Sequence, residues 1–152
     1  MLSSDLTIVS DTDYDPATSS NFIDLNLDIG HWLIDGVLLC GGDATVDVQM
    51  RAGLVGGAVS PASGLTFTGP ANSDATPVVA TVRHTTNPLT SNSARFGTAL
   101  TATSIAFSGY MEISTAGVLR WSFAQDVANT SPLTVLAGSF LSARKLAQPV
   151  QV

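Results

Sequence analysis

Apolar and polar residues take turns along most of this chain. The alternation is strictest at Thr45-Val46-Asp47-Val48-Gln49-Met50-Arg51, the period-2 signature of a strand with one wet face. A second run places Ile105, Phe107, Gly109, Met111 and Ile113 on one face, against Ala106, Ser108, Tyr110, Glu112 and Ser114 on the other. Two further segments are apolar on both faces. Trp32, Ile34, Val37, Leu38, Leu39 and Cys40 make one; Val118, Leu119, Trp121, Phe123 and Ala124 make the other. Strands of that kind are covered on both sides. In a two-layer fold the opposing sheet covers one side only, so something further must cover the second.

Turn chemistry cuts the chain into strand-length pieces. The breaks fall at Gly41-Gly42, Gly56-Gly57, Gly69-Pro70, Thr76-Pro77, Asn87-Pro88, Ala116-Gly117 and Ser131-Pro132, where glycine supplies a positive φ or proline fixes a negative one. Strands are expected near 4–9, 22–29, 31–40, 44–52, 64–68, 77–85, 104–114, 118–126 and 133–145. No window carries a helical period over the ten or more residues a helix needs. These segments predict an all-β, single-domain antiparallel fold of about eight or nine strands, a sandwich or a barrel. Residues 1–20 form an N-terminal arm with one candidate edge strand, and residues 21–152 form the domain. The arm is acidic and poor in large apolar residues, so it is expected to make intermolecular rather than intramolecular contacts. The long connections Leu54 to Gly64 and Asn87 to Thr103 are candidate contact loops.

Composition sharpens this picture. A 152-residue chain with 45% hydrophobic residues can bury one ordinary core without metals or disulfides. Charged residues make up 12%, about half of what a soluble domain carries, so much of the surface must be neutral and suited to packing against copies or partners. The net charge of -6 argues against nucleic acid, whose recognition needs clustered Lys and Arg. The acidic residues crowd the first third, whereas Arg120, Arg144 and Lys145 lie late in the chain. No apolar stretch reaches the roughly 20 residues of a membrane-spanning helix, and the start lacks the pattern of a signal peptide. A soluble product made in the cytoplasm is expected.

Candidate chemistry is sparse. Asp11-Thr12-Asp13-Tyr14-Asp15 begins like a calcium-binding loop, but Pro16 replaces the required glycine and Phe22 stands where the bidentate Glu belongs. A solvated, turn-rich loop is the expectation there. His31 and His84 each fall within a strand without a companion ligand. Cys40 ends an apolar strand and is expected to be a buried, inert thiol. There is no G-x-S-x-G elbow, no phosphate loop, and Glu112 is the sole glutamate. No catalytic residues, cofactor or metal are assigned, and the chain is expected not to be an enzyme. Tyr110, Trp121 and Phe123 are the candidate oligomer-interface residues, on the outer face of a sheet that includes the 118–126 strand, because large aromatics anchor interfaces. The core is the competing home for Trp121, and also for Phe140.

The last third carries a family likeness. Ser108-Gly109-Tyr110-Met111-Glu112-Ile113-Ser114-Thr115-Ala116-Gly117 leads into Val118-Leu119-Arg120-Trp121-Ser122-Phe123-Ala124-Gln125. Thr134-Val135-Leu136-Ala137-Gly138-Ser139-Phe140-Leu141 then opens the last segment. This resembles the closing strands of jelly-roll domains in bacteriophage virion proteins, and Gly30-His31-Trp32-Leu33-Ile34-Asp35-Gly36 is similar to the same family's first long strand. The resemblance implies a tumour-necrosis-factor-like jelly roll. Such domains are commonly trimeric, and they sit at tail-fibre tips or bind the capsid surface. With only a short arm ahead of its strands, the chain is expected to be a capsid decoration (cement) protein. It would bind the major capsid protein on the outer capsid surface as a homotrimer. The alternative is a receptor-binding tail-fibre tip or small tail component that recognises a glycan on the host surface.

Overall fold

The computed structural model describes residues 1–9, 15–42, 46–70, 81–86, 94–97, 103–126 and 130–147, with backbone only for 81–86 and Ala94. All of its regular structure is strand. The described strands are β1 (Leu6–Ile8), β2 (Phe22–Leu27), β3 (Gly30–Gly41), β4 (Val48–Val55), β5 (Ala58–Val59), β6 (Gly64–Pro70), β7 (Thr81–Thr86), β8 (Ala94–Phe96), β9 (Thr103–Thr115), β10 (Gly117–Gln125), β11 (Leu133–Val135) and β12 (Phe140–Lys145). Every pairing is antiparallel, as the alternation predicts.

Two sheets result. The larger runs β1-β11-β3-β9-β6-β7, with β12 also on β3 and β5 also on β9; the smaller runs β2-β10-β4-β8. Their apolar faces meet in a sandwich-like core. Ile34, Leu38, Leu65, Phe67, Ile105, Phe107, Met111 and Ile113 face inward from the large sheet, and Leu27, Met50, Leu119, Trp121 and Phe123 from the small one. The β9 alternation therefore holds residue for residue.

An aromatic cluster joins the sheets at mid-core. Trp121 stacks on Phe107 with centroids 4.9 Å apart and lies 6.2 Å from Phe67, which itself sits 4.8 Å from Phe107. Gly36 makes room for the indole. A Cβ at that position would come within 3.2 Å of the Trp121 ring and 2.8 Å of the Phe140 carbonyl oxygen.

The expected strand over 133–145 is instead two strands, and the cause is local. Gly138 takes a φ of 93°, which turns the chain between β11 and β12. Buried Ser139 fills the gap in the ladder: its Oγ accepts from Leu39 N at 2.9 Å and donates to Leu136 O at 2.8 Å. The strand expected at 44–52 lies further along, at Val48–Val55. Two short strands, β5 and β8, fall inside the connections taken as loops. Both are too short to show alternation.

The arm's candidate edge strand is present, but the contacts of residues 1–9 are within the chain rather than only intermolecular as expected. Leu6–Ile8 pairs with β11, and Leu2 exchanges backbone hydrogen bonds with Gly138 and Ser139. Asp5 Oδ1 accepts from Ala137 N at 2.7 Å, Ile8 is buried, and the Ile8 carbonyl receives the buried Gln125 amide at 3.1 Å. One apolar residue per two positions was enough to seat this short edge strand within its own fold.

Candidate functional site

The outer face of the small sheet is polar and partly covered. Cross-strand pairing places Asp24, Arg120 and Gly53 in one row, and Phe22, Ser122 and Arg51 in the next. Arg120 grips Asp24 with two hydrogen bonds of 2.8 and 2.7 Å, and its guanidinium carbon lies 3.7 Å above the centre of the Phe22 ring. The bonds to Asp24 push the Arg120 pKa up, fixing its charge.

Residues 15–20 lie against this row. Asp15 opens a turn by accepting Ala17 N on its Oδ1 and Thr18 N and Ser19 N on its carbonyl, so the described end of the aspartate-rich loop does form the expected Asx turn. Pro16 is buried, and its carbonyl accepts Arg120 Nη1 at 3.3 Å. The second covering demanded by the 118–126 strand is therefore supplied in part by the chain itself.

That arrangement corrects two interface assignments. Trp121 and Phe123 are fully buried on the inner face of β10, so neither lies on an outer surface. The period of two decides the matter. Arg120 faces out, and its neighbour Trp121 must face in.

Tyr110 does lie outward, on the large sheet. Its hydroxyl meets His31 Nδ1 at 2.5 Å, and it stands directly opposite Leu33. Further along the same face, Val37 is flanked by Ala106 and Phe140, and Leu39 follows two residues on. Leu33, Val37, Leu39, Tyr110 and Phe140 are all half-buried. Phe140 thus leaves the core for the outer face. Reading Trp32 to Cys40 as apolar on both sides contained this face already, but assigning it to a surface needed the β3–β12 register.

The remaining candidates are quiet. Asp11 to Tyr14 lie outside the described residues, and among those described no group of three His, Cys, Asp or Glu could hold a metal. His84 lies on β7 opposite Phe67. Cys40 is buried, and loss of hydration pushes its thiol up to about 12 from 9.0. Because the folded value is the higher one, the associated stability is complete below pH 9.0 and is lost as the pH rises from there through about 12. Cys40 is accordingly expected to resist iodoacetamide at pH 8 in the native protein and to react fully after unfolding. Rapid native labelling would contradict its burial.

No protein-family model, curated protein or solved structure matches this chain.

Proposed function

We propose that this protein is a non-catalytic virion component of a bacteriophage, a jelly-roll capsid decoration protein that self-associates as a trimer and binds the outer capsid surface. The observation that carries the reading is the outward face of the large sheet, where Val37, Leu39 and Phe140 lie on one side of the polar row Asp35, Ser108 and Ser142 and Leu33 and Tyr110 on the other, on a chain with only 12% charged residues. Half-buried apolar side chains in such a group favour association with a like surface. Closed cyclic symmetry is the usual outcome for identical copies.

The connectivity supports the jelly-roll part. A jelly roll forms when a long antiparallel hairpin rolls up, so that the first strand pairs with the last, the second with the next to last, and so inward. Here β1 pairs with β11, β2 with β10, β3 with β9 and β4 with β8, while the last strand, β12, lies outside this nesting on β3. The β5, β6 and β7 strands then extend the large sheet beyond β9. The Ala137-Gly138-Ser139 stretch that carries the resemblance has a defined task, namely the turn and ladder repair between β11 and β12.

Two side chains with chemical potential are engaged in ways that suit a structural role. His31 is bonded to Tyr110, and the Cys40 thiol is protonated at neutral pH. Copy number tests the assignment. Quantitative mass spectrometry of purified virions should find this chain in the hundreds per particle. Tens or fewer would overturn decoration in favour of a tail-tip component, and absence would reject a virion role.

A further inference from the structure

We propose that a cleft on the outer face of the small sheet binds a single carboxylate group through Arg51. The cleft has a volume of about 280 Å³ and is lined by Asp15, Pro16, Arg51, Gly53, Leu54 and Val55 among others. Gly53 lies next to Arg51 along this face, and its missing side chain leaves backbone as part of the lining. Pro16, Leu54 and Val55 add apolar surface. The size admits one sugar ring or one amino-acid residue, since sites for larger molecules begin near about 300 Å³.

The two arginines of this face differ in a way that identifies the ligand. Arg120 holds Asp24 in two short hydrogen bonds and also reaches the Pro16 carbonyl. Arg51, one row away, has its side chain only 20% exposed, yet its contact with Asp15 is 3.7 Å long, beyond hydrogen-bond reach. Its Nε is fully shielded, and no acceptor reaches it among the described residues. A guanidinium offers five donors in a planar fork, and burying its charge is costly unless those donors are met. A planar oxyanion in the cleft is the group that meets the terminal Nη donors two at a time.

Asp15 meets Arg51 only through Oδ2, in a loose ion pair of 3.7 Å with Nη1, because its other oxygen is held elsewhere. Its Oδ1 is tied to Ala17 N at 3.0 Å, and its carbonyl closes the turn. It remains at the cleft as an acceptor for hydroxyl or amide donors of the same ligand. A carboxylate with a neighbouring N–H or O–H is therefore the matching chemistry, found in a uronic acid and in a peptide C-terminus alike.

Nuclear magnetic resonance on the full chain tests this with sodium glucuronate, N-acetylglycine and glucose as probes. Both acids, or one of them, should shift the Arg51 Nε–H signal and the amides of Gly53 to Gly56 saturably in the millimolar range, with glucose inert. Preference for glucuronate would assign a sugar acid, preference for N-acetylglycine a chain terminus, and equal binding the carboxylate alone. Arg51→Gln should weaken binding at least about tenfold. The proposal falls if neither acid moves these signals, if glucose moves them equally, or if Arg51→Gln binds as before. The Arg51 Nε–H signal of the unmodified protein decides the matter should the variant fail to fold.

Discussion

Trp121→Ala is expected to lower the unfolding free energy by about 3–5 kcal/mol, the usual cost of emptying a large aromatic site in a packed core. The indole is fully buried and stacks across the sandwich on Phe107 at 4.9 Å. Its removal would leave a void between the sheets that neither strand can close, because β10 is held on both sides by β2 and β4. Trp121→Phe should behave differently. Among the described residues the Trp121 Nε1 has no hydrogen-bond acceptor, and a buried unpaired donor costs about 1–3 kcal/mol. Removing that N–H offsets much of the lost volume, so the Phe variant is expected to stay within about 1.5 kcal/mol of the native protein. Urea denaturation at one fixed protein concentration measures both, since association would otherwise shift the midpoint. A loss under about 1 kcal/mol in Trp121→Ala would contradict the core placement.

Much of this fold was legible because a strand's side-chain period is two and its breaks need special residues. Thus β2, β3, β9 and β10 fall where alternation and turn chemistry place them. What was not legible depends on partners distant in sequence. Ser139 repairs a ladder with Leu39, a hundred residues away, and nothing local in 133–145 announces the interruption except Gly138. Trp121 and Arg120 are adjacent, and the choice of which faces the core is settled by Phe107 and Asp24 on other strands. Phe140 faces out because it registers with Val37 rather than Gly36. The Arg51 cleft was invisible for the same reason: it needs Asp15 and Pro16 folded back over β4. The contacts of the N-terminal arm were misjudged on composition, since its few large apolar residues, Leu2, Leu6 and Ile8, all pack on the core while Leu6–Ile8 pairs with β11.

Phe140→Asp is expected to abolish self-association while leaving the β-sheet circular dichroism unchanged. The position is half-buried on the outer face of β12 and lies outside the core cluster, and a carboxylate there would have to be desolvated when a second copy packs on Val37 and Phe140. Truncating one aromatic anchor costs about 2 kcal/mol or more of association energy, so Tyr110→Ala should shift the equilibrium in the same direction by roughly thirtyfold or more. These variants have meaning only if the native chain associates. Light scattering on the unmodified protein at micromolar concentration measures that directly: the account predicts a mass about three times the 15.6 kDa of one chain, and a clean single-chain mass would contradict it.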